Sequence, residues 1–286
     1  MDKKQQKLID GILAKIDEFP TLPTIYNKLS DTIANPRCSA KDVAEVIAQD
    51  QASTTKVLKI ANSAMYGFVS KVTSITQAVV YIGFQEVKAL VLALSVIDMF
   101  KGTKDNDVIN IIDLWKFSFA VGVISRSIAK TSGEKVTEDF FVAGIVHGIG
   151  KLLFLKSIPD MYYKVLLYTK ENNVRLIDVE RKVLGITHSQ VSQILAEKWK
   201  LPKSLQNTLG NYYIGFVDGR FQMMTGVIHL AVISGSMYQF GDPCDRYIPN
   251  LNKEIWNFLK LPENFFSSNY PIFSKEYDEM AGILLG

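Results

Sequence analysis

Residues 143–154 read Ala143-Gly144-Ile145-Val146-His147-Gly148-Ile149-Gly150-Lys151-Leu152-Leu153-Phe154. An apolar helix runs into a histidine, and Gly-Ile-Gly-Lys follows at once. The informative position is Gly148. Glycine has no side chain, so this position beside His147 can offer a metal no donor atom. Gly150-Lys151 does not make a phosphate loop either. In the Gly-x-x-x-x-Gly-Lys-Ser/Thr spacing, Ile145 stands at the first glycine and Leu152 at the final hydroxyl position, so the match fails twice. Lys151 is expected to face solvent, with an anion contact at the helix start as the alternative.

Outward from this stretch the chain reads as helices. Leu8, Ile9, Ile12, Leu13 and Ile16 share one face of a first helix. Phe19-Pro20-Thr21-Leu22-Pro23 ends it, because proline cannot continue a helix and biases the residue before it towards extended backbone. Thr24 to Ala34 form a second helix, stopped by Asn35-Pro36. Ser39 caps a third, with Asp42 in its first turn. Helices are expected over 52–64, from Ser74 to about Gly83, and over 85–100. The polar run Lys101-Gly-Thr-Lys-Asp-Asn-Asp107 is the best loop signal in the chain and a subdomain boundary. Further helices fit 111–131, 137–147, 150–156, 159–172, 175–183, 187–199, 202–213, 221–240, 252–260 and 274–284. No run of alternating strands and no internal repeat stands out.

The 286 residues suffice for one large domain or two modest ones. Hydrophobic residues make up 48% and charged residues 21%, ordinary for a globular protein with a sizeable core. A net charge of +3 is too near balance to argue for nucleic acid. Cys38 and Cys244 are far apart and lack a CxxC spacing, which fits a reduced setting. The most apolar stretch, Ala89 to Ile97, is about half of the roughly 20 residues a membrane span needs. The N-terminus shows no apolar leader pattern. A cytoplasmic protein with no membrane segment is expected.

Two separated segments resemble one family. The first is Val57-Leu-Lys-Ile-Ala61-Asn62-Ser63-Ala-Met-Tyr66-Gly67, followed by Ile75 and by Ala78 to Gly83. The second is the His147 stretch, followed by Leu184-Gly185, His188 and Trp199-Lys-Leu-Pro202. Both are similar to the HDOD family, the HD-related output domains of bacterial signalling proteins, and the likeness extends over about residues 19–240. It implies an all-α, two-lobed protein in which an N-terminal helical bundle precedes a lobe like that of the HD phosphohydrolases. The expected layout is an amphipathic helix at 1–18 and an HDOD domain at 19–240, divided into lobes at about 19–105 and 106–240. An extension at 241–286 would pack back on the HD-like lobe, with a peptide-binding or dimerising surface as the alternative. Nothing resembling a receiver, kinase or cyclic-di-GMP enzyme is joined to these segments, so a stand-alone version is expected.

The resemblance also places the metal ligands of an HD enzyme. The first histidine falls at Phe117, the adjacent histidine and aspartate at His147 and Gly148, and the final aspartate near Val232. A His-His pair used by some relatives falls near Tyr212-Tyr213. Of the basic set of four, one ligand survives. The protein has three histidines, His147, His188 and His229, so no catalytic metal and no cofactor is expected, though two of them could hold an adventitious ion. His147 is expected to be buried and satisfied by a backbone carbonyl. His188 is expected to open a helix near the surface, and His229 to lie in the core. Asn62, Ser63 and Tyr66 are expected to serve structure where a helix ends, with Gly67 supplying a positive φ. A partner-binding role is their alternative. Glu138 and Asp139 follow Thr137 at a helix start and suit its dipole.

These readings point to a non-enzymatic signalling protein that binds another signalling protein in a groove between its lobes. Kinases, receivers and cyclic-di-GMP enzymes are the partner classes the resemblance implies. The rival is a sensor whose old active-site cavity holds a nucleotide or small anion, with Lys151 and Arg126 as the nearest cations. A residual hydrolase with unorthodox ligands is the third reading. The oligomeric state is left open.

Overall fold

A computed structural model describes residues 3–216, 222–251 and 253–285. Sixteen α-helices and no strand occur among them. After an N-terminal helix α1 (Lys3–Glu18), the first lobe comprises α2 (Thr24–Ala34), α3 (Ala40–Ile47), α4 (Gln51–Ala61), α5 (Ile75–Ile82) and α6 (Phe84–Met99). Side chains start the helices where the sequence says they should. Ser39 and Asp42 form a reciprocal capping box on α3, and Asp50 and Ser74 cap α4 and α5. Gly83 ends α5 at a positive φ of 111° and redirects the chain into α6. Residues Val87 and Ala89–Ile97 of α6 are buried. A helix apolar on all sides belongs in a core, and α6 packs on α2, α4, α5 and, across the lobes, α8.

The second lobe runs from α7 (Ile111–Thr131) through α8 (Glu138–Val146), α9 (Ile149–Ser157), α10 (Pro159–Asn172), α11 (Leu176–Val183), α12 (His188–Lys198), α13 (Lys203–Asn211) and α14 (Gln222–Met237). Its centre is the crossing of α7 and α8. A Cβ on Gly144 would lie 2.5 Å from the Gly122 Cα, so the two backbones touch where both residues are glycine. The run Glu138–Ser157 is long and apolar enough to span a membrane, with a mean hydropathy of 1.4. It is 89% buried inside the protein and forms the core of this lobe.

The helix at the N-terminus belongs spatially to the second lobe. α1 packs on α9 and α12. The Lys198 ammonium donates to the carbonyls of Ile16 (2.9 Å), Phe19 (2.7 Å) and Asp17. Trp199 Nε1 donates to Pro20 O at 3.0 Å. Together they clamp the segment that leads into α2.

After α14 come α15 (Lys253–Leu259) and α16 (Phe265–Leu285). The helix expected at 274–284 starts a full two turns earlier and contains Pro271. Proline removes one backbone donor and crowds the preceding turn. Here Phe265 and Phe273 are both buried, and Tyr238 and Phe240 stack on Tyr270 and Tyr277, so packing carries the helix through the proline. The expected starts at 221 and 252 lie outside the described residues.

Candidate functional site

Phe117 on α7, His147 after α8, Tyr212 and Tyr213 after α13, and Val232 on α14 converge on one cavity. Lys151 and His188 share its wall, and so do Pro243, Asp245 and Tyr247 from the segment after α14. Its volume for the centre of a water molecule is about 20 Å³, room for about one water. The donor set does not suit a catalytic metal. Phe117, Gly148 and Val232 carry no ligating atom, and the Nδ1 of His147 is engaged with Gly144 O at 2.6 Å. Among the described residues, no group of three or more His, Cys, Asp or Glu stands where it could hold an ion.

His147 is buried and meets Phe117 and Tyr212 edge-on, with ring centroids 5.7 and 5.1 Å away. Burial depresses its pKa to about 3. It is therefore neutral at pH 7, and because a carbonyl only accepts, the proton sits on Nδ1. Gly148 does not line the cavity. A Cβ added there would meet only Ser118 Oγ, at 4.0 Å, so its lack of a side chain is not forced by packing. Gly150, two residues on, is the opposite. Its Cβ would fall 2.0 Å from the His188 carbonyl oxygen.

Several expectations need correction. His188 opens α12 but is not near the surface, being only 1% exposed. It sits in a buried chain of hydrogen bonds that the sequence reading missed. Tyr162 Oη donates to Glu180 Oε1 at 2.7 Å, His188 Nδ1 and backbone N meet Glu180 Oε2 at 2.6 and 2.9 Å, and His188 Nε2 pairs with Tyr212 Oη at 2.7 Å. Burial raises the pKa values of both tyrosines, and the Glu180 charge adds to the effect. The one available signal was Glu180 itself, a carboxylate one turn after Leu176 on the face that α11 buries. His229 is in the core as expected, with Nδ1 2.9 Å from Tyr212 O. All three histidines thus bear on Tyr212.

Lys151 is also not at the surface. It is 4% exposed, and its Nζ donates to Pro243 O at 2.6 Å. That carbonyl belongs to a strap, residues 241–251, that crosses the mouth of the cavity. Asp242 N donates to Asp113 O at 3.0 Å, and Tyr247 Oη to Asn173 O at 2.6 Å. At Gly241, φ is 72° and a Cβ would lie 2.4 Å from Asp113 O, so the strap enters through a glycine-only gap.

Arg126 lies elsewhere, at the junction of the lobes. Its Nε is 3.3 Å from Glu138 Oε1, its Nη1 donates to Met65 O at 3.0 Å, and its guanidinium stacks 5.0 Å from the Tyr66 ring centroid. It therefore holds the end of the Asn62–Gly67 motif against α8. Within the motif Ala61 is buried, and Asn62 bridges to Val72 in both directions at 2.8 Å. Ser63 is buried, and Gly67 takes a φ of 60° as expected. Glu279 of α16 accepts from Ala64 N at 2.8 Å. The extension thus braces both lobes, packing on α4 as well as α7, where the HD-like lobe alone was expected. A second opening between the lobes, about 110 Å³, is lined by Tyr26, Lys88, Asp139, Leu205 and Met224 among others. Burial raises the Asp139 pKa, with Lys88 pulling the other way.

The fold is shared with solved structures of low sequence identity. An HDOD domain protein of unknown function from Geobacter sulfurreducens superposes with a TM-score of 0.79 at 21% identity, covering 98% of this chain and 97% of its own. A Shewanella amazonensis protein with the provisional name of a phosphohydrolase gives 0.76 at 23%, covering 96% and 98%. A Marinobacter aquaeolei protein provisionally named for signal transduction gives 0.74 at 17%, covering 99% of this chain and 67% of its own. An uncharacterized Treponema pallidum protein is 26% identical over 204 residues, 71% of this chain. This chain spans 39% of that relative's length. The HDOD domain pattern itself matches residues 19–213, well over half the chain, and the chain belongs to the HDOD domain family.

Proposed function

We propose that this protein is a cytoplasmic, non-catalytic regulator that acts by binding another signalling protein, of the kinase, receiver or cyclic-di-GMP enzyme classes. The observation that carries the reading is the cavity at His147. Three of the four positions that would supply metal ligands are Phe117, Gly148 and Val232, and the remaining space is small and partly covered by the chain's own strap. Hydrolysis by a metal-bound water needs several protein ligands and an open coordination position. The residues present supply neither. The opening between the lobes, with Lys88 and Asp139 among apolar neighbours, suits recognition of a protein surface better than of a cofactor. A nucleotide held at the His147 cavity is disfavoured, since ligand pockets run to about 300 Å³ or more.

The test is a hydrolysis screen with phosphomonoester and phosphodiester substrates in manganese, iron and nickel, comparing wild type with His147→Ala. The reading expects no metal-dependent turnover that separates the two proteins. Turnover abolished by His147→Ala would overturn it.

A further inference from the structure

We propose that residues 241–251 are a strap that lifts, and that the site beneath it, built from Lys151, His188, Tyr212 and Tyr213, binds a small oxyanion of the phosphate class. This goes beyond partner binding and stands on separate observations. First, polar contacts at its edges pin the strap. They include Asp242 N to Asp113 O, Lys151 Nζ to Pro243 O, and Tyr247 Oη to Asn173 O, and the strap is also tied by Asn250 to His229 and by Asp245 to the Leu176 backbone. Asp242, Arg246, Tyr247, Ile248 and Asn250 are exposed, and of residues 241–251 only Pro249 is fully buried. Little apolar area is lost when such a segment lifts, and the opening free energy is correspondingly small.

Second, the closed strap is strained. Cys244 holds a φ of 59°, in the left-handed region that non-glycine residues visit at a cost. Third, the polar groups between the strap and the site beneath it are poorly matched. A buried lysine is paired with a neutral carbonyl, a weaker partner than an oxyanion. Tyr213 Oη and Asp245 Oδ2 are both buried with no hydrogen-bond partner. Both line the same cavity. The Asp245 carboxylate is thus an internal anion set beside the Lys151 cation, with Oδ1 accepting from Tyr247 N at 3.0 Å and Oδ2 left over. An external phosphate in its place would accept from Lys151 Nζ and Tyr213 Oη together. The strap then opens by population shift, because phosphate binds only the lifted state.

Cys244 reports the opening. On a Cys38→Ser background, its alkylation rate by iodoacetamide is measured against inorganic phosphate at constant ionic strength set with chloride. The wild type should react far more slowly than the unfolded chain and accelerate with phosphate. Tyr247→Phe should raise the phosphate-free rate by about five-fold, the weight of one hydrogen bond. Asp245→Asn, which removes the internal anion and keeps the side-chain shape, should reach its limiting rate at lower phosphate. Lys151→Met should lose the phosphate response. A rate in Tyr247→Phe equal to wild type, or a wild-type rate equal to the unfolded chain, overturns the strap. No phosphate response in Asp245→Asn overturns the anion site even if Lys151→Met fails to fold, and so does a response that persists in Lys151→Met.

Discussion

The cavity at His147 and the junction at Arg126 each bury a cation, and they use it differently. Lys151 is spent on a carbonyl of a neighbouring strap, within one lobe. Arg126 joins Met65 and Tyr66 of the first lobe to Glu138 of the second. The first site is local and has a spare polar group on either side. The second is a joint between bodies, reinforced from α16 by Glu279. The difference is one of reach: the first cation closes a cavity within a lobe, whereas the second ties the two lobes to each other.

The largest effect should come from a residue that serves backbone contact at the cavity's rear. Gly150→Ala would drive a Cβ to 2.0 Å from the His188 carbonyl oxygen, which as backbone cannot swing away. A loss of about 3 kcal/mol or more is expected, read as a melting temperature lower by about 5–10 °C. Next, Arg126→Ala should cost about 2–4 kcal/mol, because it leaves Glu138 buried without its partner. The Arg126 and Glu138 side chains are 15% and 7% exposed, so solvent screens this pair little. If Arg126→Ala destabilises no more than a surface substitution, the joint is not where the lobes are held.

The cavity should show a histidine pH signature opposite in sign to that of the buried carboxyls at the junction. His147 has a folded pKa of about 3, below its unfolded value near 6.5. Between those values the unfolded chain binds the extra proton, so stability falls as pH falls, by about 2–3 kcal/mol from pH 6.5 to about 4.5. Burial depresses His229 too, in the same direction. The buried carboxyls of Asp139, Asp245 and Glu276 have raised pKa values and act oppositely, gaining stability as pH falls towards 4. The difference between wild type and His147→Gln in denaturant titrations across pH 7 to 4.5 isolates the histidine. Parallel curves would show that His147 is not a buried neutral base.

The smallest effect is the sharpest contrast. Gly148→Ala should change stability by no more than about 0.5 kcal/mol, because its Cβ finds open space and its φ of −92° suits any residue. Two glycines of one short motif would then differ by several kcal/mol, one kept by packing and one free.

The helical framework was legible because capping residues, prolines and apolar periodicity act locally. Ser39, Ser74 and Asn35-Pro36 mark boundaries that the structure keeps. Phe117, His147 and Val232 could be brought together by resemblance to a known pattern and do line one cavity. What stayed hidden depends on partners distant in sequence. Lys151 looked solvent-facing because nothing near it shows that Pro243, 92 positions on, supplies its acceptor. His188 looked superficial because its partners, Glu180 and Tyr212, lie on other elements. The Gly122–Gly144 contact and the helix through Pro271 are likewise decisions of tertiary packing that override local preference.

The most direct measurement is the metal content of untagged protein, purified without added metal and then titrated with manganese, iron and nickel. No stoichiometric ion is predicted, with or without His147→Ala. One or two tightly bound ions per chain, lost in His147→Ala, would contradict the account and return the His147 cavity to hydrolytic chemistry.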